Sequence, residues 1–130
     1  MQPSEVLIVK TSAHRVGLRI EVRGPGNYAN TVAYWQTICA ELGARPAPGL
    51  LLIDRTTGAP LSADEWKALV ATIAGKGLEK THIAHVKPAG LQRIEFCEIF
   101  AREAGIVARV FTDENEADLW LRYGERTPAT

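Results

Sequence analysis

Cysteine, net charge and long apolar runs are what this sequence has least of, and each shortage excludes something. The two cysteines, Cys39 and Cys97, lie far apart. They match no zinc-ligand or redox spacing, which argues against a metal knuckle, a dithiol motif or a disulfide framework. They read as free thiols on buried helix faces in a reducing cytoplasm. Lys plus Arg is 15 and Asp plus Glu is 15, so the formal net charge is zero. A dedicated nucleic-acid surface normally carries a basic excess, and no nucleic-acid partner is expected. No apolar run approaches the roughly 20 residues that cross a bilayer. The opening "MQPSEVLIVK" lacks the basic start and long apolar core of a signal peptide. The expectation is a cytoplasmic chain with no membrane span. No G-x-S-x-G elbow occurs, and neither cysteine has a local nucleophile signature. No internal repeat, low-complexity stretch or domain boundary interrupts the sequence, and no cofactor is expected.

What the chain does have is enough apolar content for one core: 46% hydrophobic over 130 residues. That suits a single domain over residues 1–130, with a core of about 5–123 and a tail at 124–130. The pattern then divides into elements. "EVLIVKT", 5–11, predicts a first strand and "SAHR" a turn. In "VGLRIEVRG", Val16, Leu18, Ile20 and Val22 alternate with polar residues or glycine, as a half-buried strand does. The short link predicts an antiparallel hairpin. Asn27 can cap a helix whose stripe is Tyr28, Val32, Trp35, Cys39 and Leu42, with Gly43 at its end. "LLLI", 50–53, reads as a central strand covered on both faces.

The second half alternates in the same way. A helix carries Trp66, Leu69, Val70 and Ile73 and stops at "GKG". "THIAHV", 81–86, is a fourth strand. "LQRIEFCEIFAREAG" carries Ile94, Cys97, Phe100 (with Ala101) and Ala104 on a helical stripe. "VARVF", 107–111, is a fifth strand. The last helix starts at Thr112 or Asp113, which has capping-box spacing to Glu116, and turns Ala117, Trp120 and Leu121 inward. The order ββαβαβαβα predicts an α/β domain: a mixed five-stranded sheet with about four helices and right-handed crossovers.

Four motifs bear on chemistry. Gly24, Gly26 and Ala29 fit G-x-G-x-x-A between strand and helix, where a dinucleotide phosphate could sit. Pro25 removes an amide there. Asp54 follows about thirty residues on, where about twenty is usual for the ribose-binding acid. A turn before a capped helix is the better reading. His82 and His85 lie three apart on a strand, so they face opposite sides and do not share a metal. Cys97 lies on the inward stripe of its helix and reads as an inert thiol. Ser62 and Glu65 form a capping box that accounts for Ser62 without any function. Yet a strand end leading into a helix start is also where ligands bind in open α/β sheets, and Asp54, Thr56, Thr57 and Ser62 cluster there.

The last third resembles the ending of the SpoIIAA-like family, within the broader STAS and Sec14-like fold. A helix carrying Phe100, Ala101, Arg102 and Gly105 is followed by Arg109, Val110, Phe111, Asp113, Glu114, Glu116, Ala117, Trp120 and Leu121. The "LLLID" strand and the strand ending in "VRG" also fit, so the likeness spans roughly residues 5–123. It implies a homodimeric regulatory or protein-interaction module with no chemistry of its own, meeting a regulator or kinase partner. Family members that antagonise anti-sigma factors carry a phosphorylatable Ser in a D-S-S-G-like motif. Ser62 falls near that place, but the chain reads Leu61, Ser62, Ala63, Asp64, and Asp64 and Glu65 would repel a phosphate. The Sec14 side of the resemblance implies an alternative: a carrier of a small apolar, lipid-like ligand, with Tyr28, Trp35, Trp66 and Phe100 around a pocket. An enzyme would need a cleft that joins distant groups, for instance Asp54 with His85.

Overall fold

Two residues, Arg15 and Val16, turn the first strand into the second. In the computed structural model, which describes residues 6–124, β1 (Ile8–His14) pairs antiparallel with β2 (Gly17–Pro25) in unbroken register from Ile8↔Arg23 to His14↔Gly17. The turn is therefore shorter than the expected "SAHR", and Val16 belongs to it rather than to the strand. The reason lies in Gly17. Its φ of 144° and its contact with Gly49, whose carbonyl oxygen would stand 2.5 Å from an added Cβ, let the chain reverse against the neighbouring strand without a longer loop.

The remaining elements are α1 (Tyr28–Ala44), β3 (Gly49–Thr57), α2 (Ala63–Ile73), β4 (His82–Val86), α3 (Phe96–Glu103), β5 (Ala108–Phe111) and α4 (Glu114–Tyr123). A single 3₁₀ turn at Leu78–Lys80 follows α2. The sheet order is β1-β2-β3-β4-β5, and every pair after the first is parallel. This is the α/β architecture expected from the sequence, with five strands in a mixed sheet and four helices. Residues 125–130, most of the expected tail, lie outside the described residues.

Sequential order fixes the layers. Each right-handed crossover between neighbouring parallel strands puts its helix on the same face. Thus α1, α2 and α3 share one face, over Ile20, Val22, Leu50, Leu52, Ile83 and Ala108. Helix α4 follows the last strand and takes the other face, where Ala117 and Trp120 meet Leu51, Ile53, Ala84, Val86 and Phe111. Strand β3 is apolar on both sides because both sides are covered: Leu50 to Ile53 are all buried. Two contacts tie the hairpin to α4. His14 Nε2 lies 2.7 Å from Asp118 Oδ1, and Arg19 Nε donates to Glu114 Oε2 at 3.0 Å.

Helix starts follow the sequence closely. Asn27 accepts from the Asn30 amide at 2.8 Å, and Asp113 accepts from the Glu116 amide at 3.2 Å. Two stripes differ from expectation. The buried side of α1 is Thr31, Tyr34, Trp35, Ile38 and Leu42, a rotation that leaves Tyr28, Val32 and Cys39 half-buried. On that side Thr31 Oγ1 donates to the Asn27 carbonyl and Tyr34 reaches Asp54, while the buried Trp35 indole N–H has no hydrogen-bond partner among the described residues. Helix α1 also runs through Gly43 to Ala44. Helix α3 begins only at Phe96, so Ile94 precedes it and is 51% exposed, while Cys97 and Ala101 are buried.

Candidate functional site

Parallel strands bring all their C-terminal ends to one edge of the sheet, and the helices that follow them begin there. The end of β3 and the loop after it, residues 54–61, form one wall of a cleft; beyond β4, residues 87–96 form the other. The cleft holds about 340 Å³ and is floored by Thr31, Tyr34, Asp54 and Trp66. This is the position at which open α/β sheets bind ligands.

Asp54 organises the floor. Its Oδ1 accepts from the Thr56 hydroxyl at 2.5 Å and from the Thr56 amide at 3.1 Å. Its Oδ2 lies 2.8 Å from His85 Nε2 and 3.4 Å from the Tyr34 hydroxyl. A carboxylate offers about four acceptor positions, so these donors fill them. Burial alone would raise the Asp54 carboxyl, but the His85 hydrogen bond and charge and the two Thr56 hydrogen bonds outweigh it and hold it well below the ordinary 3.8. An ionised carboxylate only accepts, so His85 carries its proton on Nε2 and donates it. His85 is 3% exposed and lies between two rings, with centroids 6.3 Å from Trp35 and 6.5 Å from Trp66.

The second wall has its own cluster. Lys87 Nζ lies 2.5 Å from Glu95 Oε1, 3.6 Å from Cys97 Sγ and 5.8 Å from the centroid of the Trp66 ring. The other Glu95 oxygen accepts from the Gln92 amide, which closes the base of the 87–95 loop. Burial works to lower the Lys87 ammonium, but Cys97, Glu95 and Asp54 together raise it. Burial pushes the Cys97 thiol up to about 12, and Lys87 does not reverse this. Burial, with Asp54 adding to it, places the Tyr34 hydroxyl well above its ordinary value.

Of the residues singled out in the sequence, Asp54, Thr56 and Thr57 line the cleft. Ser62 does not line it and is taken up in the capping box: its hydroxyl accepts from the Glu65 amide at 3.2 Å, and its own amide donates to Glu65 Oε1 at 3.0 Å. Trp35 and Trp66 share a second, apolar space of about 20 Å³ with His85. That is room for one water molecule, against the roughly 300–1,000 Å³ of small-molecule pockets. Tyr28 and Phe100 line neither space; Phe100 stacks on Phe96 with centroids 6.2 Å apart. His82 faces the other side of the sheet, 6.0 Å from Trp120. Among the described residues, no three His, Cys, Asp or Glu side chains are placed to hold a metal ion. No helix there is long and apolar enough to cross a membrane. The Gly26 amide, which a phosphate loop would need free, donates to the Thr57 carbonyl at 2.7 Å.

No protein-family model matches this chain, and no curated protein matches it.

Sequence reasoning did not find Tyr34, Lys87 or Glu95. It named Asp54 and His85 together only as an instance of residues too distant to connect. One signal was present: two apolar strands, "LLLID" and "IAHV", each contain a single titratable residue, and buried polar groups require partners.

Proposed function

We propose that this protein is a non-catalytic regulatory module of STAS type that recognises a protein partner through the cleft at the strand ends. The observation that carries this reading is the occupancy of Asp54: its own chain supplies four donors to it while the cleft above stays open. A general base needs a pKa near the working pH and a free lone pair, and Asp54 has neither. Cys97 keeps its proton, so it is no ready nucleophile. The ionisable groups serve instead as a rigid frame. What they present outward is a mixed rim of Thr57, Pro60, Arg93 and Ile94, all exposed, which suits recognition better than turnover. The resemblance of the C-terminal third to SpoIIAA-like proteins supports the same reading, with a regulator or kinase as the partner class.

The test is recovery of the tagged protein at native levels from cells that make it, beside a Thr57→Arg/Ile94→Asp variant. The expected result is a stoichiometric protein partner retained by the unaltered chain and lost from the variant, with both chains folded. Conversion of a small molecule by the purified protein, abolished in Asp54→Asn, would overturn the reading.

A further inference from the structure

Three helices cover one face of the sheet, but α4 alone serves the other, over β3, β4 and β5. Among the described residues, α4 reaches the β1–β2 half of that face only at His14 and Arg19; the rest of that half is bare, and it is basic. Arg23 and Arg55 are direct cross-strand partners. Like charges in that position repel, so the pair does not stabilise the sheet. Lys10 lies across from Glu21 on the next strand. Among the described residues, one carboxylate serves the two arginines: Glu21 Oε2 lies 2.7 Å from Arg23 Nη2 and 3.4 Å from Arg55 Nε. Arg19 is already matched by Glu114, which it grips with Nε at 3.0 Å and Nη2 at 3.2 Å. Arg23 and Arg55 therefore share Glu21, which also lies 3.5 Å from Arg19 Nη1, and the Arg23 and Arg55 side chains are 55% and 38% exposed. Ile8, the cross-strand partner of Arg23, is 45% exposed beside them. In a chain of zero net charge this is a local cationic excess with an apolar neighbour.

We propose that the bare half of this face docks an acidic segment of a protein partner, at a surface separate from the cleft. Charge complementarity sets the occupant. Exposed guanidinium forks pair with carboxylates in two-pronged fashion. A second copy of the chain would oppose arginine with arginine. Two acids of α4, Glu114 and Asp118, border this half of the face, held by Arg19 and His14. They turn away a phosphate backbone running on past the arginines, and a flat anionic membrane likewise. A narrow acidic segment with an apolar residue over Ile8 fits between β1 and that acidic row.

The experiment places a photo-crosslinking residue at Ser12, on the bare face, in the full chain within cells that make it. The expected adduct is a protein whose crosslinked peptide is rich in Asp and Glu. The purified partner should bind about tenfold more weakly to Arg23→Glu/Arg55→Glu, and more weakly as salt is raised. Where reversal harms folding, Arg23→Gln/Arg55→Gln keeps the test valid with a smaller loss. A nucleic-acid or lipid adduct, a second copy of the chain, a non-acidic peptide, binding indifferent to both variants, or no adduct would each overturn the proposal. A partner lost from the cleft variant but unaffected here separates the two surfaces.

Discussion

His85 Nε2 stands 2.8 Å from Asp54 Oδ2, joining two strands through groups 31 residues apart. Here the histidine supports the acid from the core, and the acid faces the cleft. Replacing Asp54 by Asn removes the charge and leaves the buried imidazole with a poorer partner. The expected loss is roughly 3 kcal/mol of unfolding free energy, read from urea denaturation. Tyr34→Phe, which deletes only the longest of the four contacts at 3.4 Å, should cost about 1 kcal/mol or less.

Asp54 also sets an acid limit. Its carboxyl is held below its ordinary value in the folded state, so the unfolded chain binds the proton more readily. The stabilisation is fully present above about pH 4 and is lost as pH falls through the folded-state value. The stability gap between the unaltered chain and Asp54→Asn should shrink as pH falls below about 4, as acid titration followed by circular dichroism would show.

Thiol reactivity should divide by burial. Cys97 is buried with its thiol raised to about 12, and half-buried Cys39 is raised as well, chiefly by burial. Ellman's reagent at pH 8 should label Cys39 slowly and Cys97 hardly at all in the folded protein. Both should react at once in urea. Rapid native labelling of Cys97 would contradict the packing described.

Ser62 offers a clean separation of cap from switch. Ser62→Ala should lower stability by about 1 kcal/mol, roughly 4 °C in Tm. Ser62→Asp should be nearly silent, since Asp also caps well. Glu65→Ala removes the reciprocal half of the box and should cost less than Ser62→Ala.

The element order was legible because the apolar period changes sharply at each boundary, and Asn27, Ser62 and Asp113 announce their helices. The face of α1 was not. A stripe chosen for greasiness took in Tyr28 and Cys39 and passed over Thr31, whose hydroxyl is satisfied inside its own helix by the Asn27 carbonyl. The cleft was half legible. Asp54, Thr56 and Thr57 lie in one local stretch, so the strand-end argument reached them. Their companions Tyr34, His85, Lys87 and Glu95 come from α1, β4 and the loop after it. Only the parallel pairing that sets Leu52 beside His85 brings His85 within reach of Asp54, and no local spacing encodes that pairing.

The placement of α4 has a consequence during synthesis. It is the last described element to leave the ribosome, and until it docks, Leu51, Ile53, Ala84, Val86 and Phe111 form an uncovered oily sheet surface. A nascent chain halted near residue 112 would own three of its four helices and still be sticky, a natural client for chaperones.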